Sequence, residues 1–305
     1  MRADDVHSTA SLRHGAYLCL TVPAGARRAA AAAVPALARR LGLRNEFEPG
    51  DDHPLDAIAF LRRLDATPAA GFPPAGRADG AHDLAGGGDL PDHEIAGAGA
   101  QHLAGGAGLP DHQILSADAV VHVASASADL VTELCAEATR LLAPACRPLV
   151  LRGVVRPTVY TGNAMHNFAY AHRVLQQPGT VAPHAFLLPT SKSADWWQKD
   201  WMERHTYFLP RHDDAGRRIA EGHALAAEAG IACLMRRTYK NEAEPAPPGA
   251  YDFLNYFECA DADVATFHQV CAALRDVARN PEWRFVREGP TWHGRRFATW
   301  EELFD

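Results

Sequence analysis

The sequence predicts an α+β fold built from two β-α-β-β-α-β units side by side. Three observations carry this. A short apolar run of strand type, AYLCLTVP (15 to 22), precedes an Ala/Arg-rich stretch of helical composition from Ala24 to Leu43. Strand, helix and strand patterns then follow at AVVHVAS (119 to 125), Ala128 to Leu142 and PLVLRGVVRP (148 to 157). The second half repeats the alternation, with strands at 184 to 190, 231 to 240, 250 to 259 and 283 to 292, and helical segments at 194 to 229 and 263 to 278. Each unit makes an antiparallel sheet with helices on one face, so its other face needs cover. Two such sheets facing one another enclose space of the kind that takes a flat apolar ligand.

Between the first elements lies a strand candidate at 54 to 65. A Gly-, Ala-, Pro- and Asp-rich stretch from about 66 to 117 follows and reads as an irregular insertion. Within it Leu84 to Ile95 and Leu103 to Ile114 are near repeats, each with an Asp-His pair. Two copies are too few for a solenoid, and a duplicated polar loop explains them without metal chemistry. The expected domain division is 1–157 and 158–305.

A chain of 305 residues, 47% hydrophobic and 22% charged, can bury a sizeable core. Its net charge of -7 offers no basic stripe for a phosphate backbone, which excludes nucleic acid as an expected partner. The six cysteines sit mostly in apolar runs without C-x-x-C spacing and read as reduced core residues. With no apolar leader at the start and no run of about 18 apolar residues, a cytoplasmic protein without membrane contact is expected.

From Lys192 onward the chemistry-bearing residues appear in a defined order. Lys192-Ser-Ala-Asp-Trp196-Trp197 comes first, then Glu221-Gly222-His223, then CLMRRTY (233 to 239), then YDFLNYFE (251 to 258). Arg236 lies thirteen residues beyond His223. This order resembles the chlorite dismutase family over about 120 residues, with the N-terminal half similar only in its alternation. In that family a lysine, an acidic residue and an aromatic pair precede the helix bearing the proximal histidine, and the distal arginine stands thirteen residues after it.

The resemblance implies two ferredoxin-like modules forming a dimeric α+β barrel that binds haem b. It makes His223 the iron ligand, Arg236 the distal catalytic arginine, Lys192 a charge near the propionates, and Trp196 and Trp197 pocket walls. An imidazole can ligate iron through one nitrogen while the other meets a second partner. Arginine stays cationic and can hold an oxyanion without joining proton exchange. Arg236 and Arg237 are strand neighbours, so only one of them faces the pocket.

The implied reaction is decomposition of chlorite to chloride and dioxygen. The alternatives are a haem peroxidase or other haem enzyme acting on an organic substrate, and a non-catalytic haem binder. Trp197 and Arg236 argue against the family's other main activity, coproheme decarboxylation. The small-molecule substrate is thus chlorite or peroxide, and the resemblance implies a homo-oligomer, with a pentamer favoured.

Two departures from the family pattern stand near the site. About twelve extra residues between Trp197 and His223, including His205 and Tyr207, suggest a lid or a new pocket residue. The glutamate that bonds the proximal histidine in the respiratory-type members is expected near Arg279, where a cation cannot accept that bond, so the bond depends on Asp276 or another acceptor taking its place.

Overall fold

The computed structural model describes residues 14–33, 57–64, 108–155 and 182–304. Its strands are β1 (His14–Thr21), β2 (Ala57–Arg63), β3 (Ala119–Ser125), β4 (Arg147–Val155), β5 (His184–Lys192), β6 (Arg211–His212), β7 (Arg218–Ala220), β8 (Met235–Lys240), β9 (Phe253–Cys259), β10 (Val286–Glu288) and β11 (Trp292–Phe297). The helices are α1 (Asp111–Ser116), α2 (Ala128–Leu142), α3 (Ala194–Gln198), α4 (Trp201–Thr206), α5 (Gly222–Ala226) and α6 (Val264–Arg275). Residues 27–33 are helical as well.

Nine strands form one sheet in the order β10-β5-β11-β2-β3-β1-β4-β8-β9, and a further pairing of β5 with β9 closes it into a barrel. Closure removes the free edges that an open antiparallel sheet would expose. The N-terminal strands run β2-β3-β1-β4 and the C-terminal ones β8-β9-β5-β11, so both halves place their strands in the same relative order. Among the described residues, one seam pairs Val154↔Lys240 and Val155↔Tyr239 between β4 and β8. The other seam joins β11 to β2 through four pairs, from Gly294↔Arg63 to Phe297↔Phe60.

Alternation along each strand sorts side chains into two layers. In β1, Tyr17 and Cys19 point into the barrel beside Val120, Leu187 and Trp292. Ala16, Leu18 and Leu20 point outward against Val131, Leu134, Cys135 and Ala138 of α2. Because both faces are covered, every residue from Gly15 to Leu20 is buried, which is why the sequence shows a continuous apolar run rather than strict alternation. Helix α2 starts at Ser127, whose hydroxyl accepts from the Leu130 amide at 3.4 Å. On the C-terminal half, α6 sets Phe267, Val270 and Cys271 against Phe186 and Leu188 of β5.

Several sequence expectations change. The segment 194 to 229 is not one helical region. It is three short helices and the β6–β7 hairpin, because Pro210, Gly216 and Gly222 interrupt it. The strand expected at 283 to 292 is shorter and divided: 281–285 form a 3₁₀ turn, β10 takes Val286–Glu288, and the last barrel strand follows Gly289-Pro290 as β11.

The C-terminal end of the expected irregular insertion is also ordered. Helix α1 buries Ile114 fully among the barrel residues. Asp111 of the second Asp-His pair meets the Tyr251 hydroxyl and Arg287. The first copy of that repeat lies outside the described residues, as does the helical expectation beyond residue 33. All six cysteines are free, five of them buried. Among the described residues no helix is long and apolar enough to cross a membrane.

Candidate functional site

The outer face of β8 and β9 and the short elements between β5 and β8 bring the sequence-predicted residues together. Strand β8 alternates clearly. Met235, Arg237 and Tyr239 face the barrel interior, whereas exposed Arg236 faces outward with Thr238. Arg236 stands across from Phe257 and Arg237 across from Tyr256. Phe257 packs in the outer layer with Ala226 and Leu234. Phe253, on the same face of β9, stacks on Trp197 at 6.3 Å and 18°. The fold thus puts Arg236 on the outer face, on the side of the helix bearing His223, and Arg237 inside the barrel.

Helix α5 is only five residues long, and its start is held by carbonyls from two other segments. The amides of Glu221 and Gly222 donate to Arg279 O at 2.8 and 3.0 Å. The amides of His223 and Ala224 donate to Tyr207 O and Phe208 O, both at 3.1 Å. Amides at a helix start have no partner within the helix, so these four bonds fix where the His223 side chain begins.

The stretch from Trp201 to His212 therefore does not form a lid. It lies against the start of the histidine helix and supports it. Arg204 ties this stretch back to the tryptophan pair, donating to Trp196 O at 3.2 Å and Trp197 O at 2.7 Å. The Tyr207 ring packs edge-on against Phe285 at 5.4 Å, and the His205 Nδ1 is buried with no hydrogen-bond partner among the described residues.

The His223 ring has a defined partner. Its Nδ1 lies 2.8 Å from Glu282 Oε2, and Glu282 Oε1 forms an ion pair with Lys192 Nζ. Both Glu282 and Lys192 are almost fully buried, at 5% and 7% side-chain exposure, while His223 retains 21%. With Nδ1–H donating to a carboxylate, the lone pair of the imidazole resides on Nε2. Burial pushes the Glu282 carboxyl up, but the Lys192 charge and the hydrogen bonds from His223 and Lys192 outweigh it and hold the group well below the usual carboxylate range.

Glu282 corrects the expectation at Arg279. The count along the chain assumed that the last helix continues, yet α6 ends at Arg275 and a 3₁₀ turn from Pro281 carries Glu282 under His223. Arg279 instead pairs with Glu221, Nε to Oε2 at 3.0 Å. The Lys192 ammonium pairs with Glu282 and lies over the Trp196 ring at 4.2 Å. Trp196 is fully buried with Phe208 and Ala224. Trp197 is half-buried, and its Nε1 is buried with no hydrogen-bond partner among the described residues.

Scans against known protein families and against curated proteins find no match. Solved structures do match. The chlorite dismutase from Candidatus Nitrospira defluvii in complex with imidazole aligns with a TM-score of 0.58 and 17% identity, covering 99% of this chain and 98% of that one. The chain has the chlorite dismutase fold. A tryptophan-to-phenylalanine variant of the same protein in complex with cyanide gives 0.58 and 16%, with the same coverage. An arginine-to-lysine variant gives 0.58 and 16%, again over 99% and 98%. Sequence identity this low leaves the fold as the shared property, so the site of this chlorite dismutase-like barrel has to be argued from its own residues.

The depressed Glu282 carboxyl has a measurable consequence. A carboxyl whose folded-state value lies below its unfolded one stabilises the fold above the unfolded value, about 4.3, and that stability is lost as pH falls further. Urea unfolding of wild type and Glu282→Gln should therefore differ at neutral pH and converge as pH drops below about 4.3. A constant gap down to strongly acidic pH would contradict this account.

Proposed function

We propose that the protein is a haem b enzyme of the chlorite dismutase family that decomposes chlorite to chloride and dioxygen. The observation that carries the reading is the buried chain Lys192–Glu282–His223, which leaves Nε2 of a partly exposed imidazole as a ligand. An outer partner of this type fixes the tautomer and ring orientation of a ligating histidine and raises its basicity. The remaining donors suit the group as well. Trp197 Nε1 is an unsatisfied buried donor of the sort a haem carboxylate accepts from, and Trp197 and Phe253 offer a flat apolar wall. That a chlorite dismutase of this fold takes imidazole and cyanide supports the reading, since both are ligands of an open iron position.

When bound, haem iron supplies the redox chemistry at the chlorine–oxygen bond. The chain's own residues supply the rest. His223 Nε2 would hold the iron while Nδ1–H stays on Glu282, which would keep the imidazole electron-rich and its ring orientation fixed. Lys192 keeps Glu282 ionised in a buried setting. Arg236, on the outer face of β8, would hold the anionic substrate by charge, without giving up a proton.

The equal strand order of the two halves supports reading them as ferredoxin-like modules, 1–157 and 158–305, and the same proposal includes a homo-oligomer, pentameric by resemblance.

The test is direct. Purified protein should show a Soret band on haem loading, and His223→Ala should lose it. Arg236→Ala should retain the band and lose most oxygen evolution from chlorite, on the order of 10²-fold as for removal of other electrostatic donors. An unchanged Soret band in His223→Ala would remove the ligand, and full turnover in Arg236→Ala would remove the arginine.

A further inference from the structure

The inner face of β8 carries chemistry that the outer face does not use. Inside the barrel, four aromatic rings from four strands lie together. Tyr17 of β1 and His122 of β3 stack at 4.8 Å and 17°. Tyr256 of β9 sits 4.6 Å from His122 and 5.5 Å from Tyr17, and Tyr239 of β8 lies 5.8 Å from both. All four side chains are at most 2% exposed. Two of the phenols are joined to bases: the Tyr239 hydroxyl lies 2.9 Å from His122 Nε2, and the Tyr256 hydroxyl donates to Glu258 Oε1 at 2.6 Å. Glu258 in turn pairs with buried Arg296. The Tyr17 hydroxyl and Arg237 Nη1 are buried with no partner among the described residues.

Such a cluster is expensive where aliphatic packing would serve, because each buried polar group must recover its lost hydration. Elsewhere the barrel is filled by Leu61, Leu187, Met235 and Trp292. Burial pushes the phenols of Tyr17, Tyr239 and Tyr256 up. It pushes His122 well below its ordinary value, with the Arg237 charge adding to the effect. Across the neutral range the phenols keep their protons and the imidazole keeps a lone pair. A phenol in that state loses an electron readily only if its proton leaves at the same time, and the Tyr239–His122 and Tyr256–Glu258 contacts each provide an acceptor.

We propose that Tyr239 and Tyr256 form a redox relay inside the barrel, with His122 and Glu258 as proton acceptors, that draws oxidising equivalents away from the outer face of β8. In each step one electron passes from a phenol to the oxidant, which is reduced by one equivalent. The O–H bond breaks, its proton moves to His122 Nε2 from Tyr239 or to Glu258 Oε1 from Tyr256, and a neutral tyrosyl radical remains. An electron from the next ring, with return of the proton, restores the phenol and moves the radical on. The natural oxidant is a peroxide-oxidised haem, so this part rests on the haem reading above. Its position is favourable, since Arg236 and Arg237 are adjacent residues on opposite faces of one strand.

Two arms test the relay in the full chain. In one, haem-loaded protein is mixed with hydrogen peroxide, freeze-quenched and read by electron paramagnetic resonance. In the other, protein without added haem is oxidised by flash-generated tris(bipyridine)ruthenium(III) and read by transient absorption. A neutral tyrosyl radical should form in wild type, more slowly in D₂O, persist in Tyr207→Phe, and be lost from the Tyr239→Phe/Tyr256→Phe double variant. His122→Gln, which retains a hydrogen-bonding side chain but not the base, should slow its formation with the circular dichroism spectrum unchanged. This variant keeps the test valid where the double variant fails to fold.

A radical in the ruthenium arm that needs Tyr239 and Tyr256 supports the relay even if the peroxide arm gives none, so a failure of the haem reading shows separately. A tyrosyl signal of wild-type size in a folded double variant, a wild-type rate in His122→Gln, or no tyrosyl radical in wild type under ruthenium oxidation overturns it.

Discussion

Glu282→Ala is expected to destabilise the protein by about 3–5 kcal/mol, the range found when one partner of a buried ion pair is removed. The reason lies in what remains. Lys192 is 7% exposed in its side chain, so the substitution takes its carboxylate partner from a buried ammonium that also lies over the Trp196 ring. A cation–π contact contributes about 2 kcal/mol when desolvated, less than the loss of a buried ion-pair partner costs. The same substitution removes the acceptor of His223 Nδ1, so the ring gains freedom to rotate and exchange tautomers. Chemical denaturation followed by tryptophan fluorescence measures the first effect, and nitrogen chemical shifts of labelled histidine measure the second. A loss below about 1 kcal/mol would mean that Lys192 finds water or another acceptor.

The double variant Lys192→Met/Glu282→Met separates stability from function. Replacing both ions by apolar groups of similar volume is often neutral or better, so most of the lost stability should return. The histidine tautomer should not recover, because methionine offers no comparable acceptor. Stability regained with haem affinity still weakened would assign the ion pair to orienting His223 rather than to holding the fold.

Much of the barrel was legible in the sequence because it depends on local signals. β3 and α2 occupy the stretches that periodicity predicts, 119–125 and Ala128–Leu142, the latter with Ser127 as its N-cap. Both are long and strongly patterned, so tertiary context had little to override. The segment between Trp197 and His223 was misread because its helical composition runs through Pro210, Gly216 and Gly222, and only the folded chain shows what those breaks accomplish. The candidate residues His223 and Arg236 come from spacing along the chain, on the resemblance, and their roles belong to the proposal. The site was illegible where it depends on a contact between distant segments. Glu282 lies 59 residues from His223 and beyond the end of α6, so counting along a helix could not reach it. A local signal did exist: an acid between Pro281 and Trp283, in a stretch otherwise made to be buried. The barrel cluster was missed for a similar reason, since Tyr17, His122, Tyr239 and Tyr256 come from four strands that meet only on closure.

Gly222→Ala should be the most damaging single methyl group in the site. Gly222 has φ +68, a left-handed conformation that costs a non-glycine residue roughly 1–2 kcal/mol before any contact is counted. An added Cβ would also lie 2.4 Å from Leu209 O and 2.7 Å from Leu209 C. These are backbone atoms, so no side-chain rotation relieves the clash. The chain must move, and it is the chain whose Tyr207 and Phe208 carbonyls accept from the amides of His223 and Ala224. Strain at Gly222 is therefore delivered to the start of α5 and to the bearing of the His223 ring. Thermal unfolding should fall by several degrees, given about 2–4 °C per kcal/mol in chains of comparable size. Haem affinity should fall with it, while the barrel's strand signal in circular dichroism stays intact below the transition. A variant with wild-type stability and haem affinity would show that Leu209 can retreat at no cost, and that the extra residues before His223 do not hold the ligand helix.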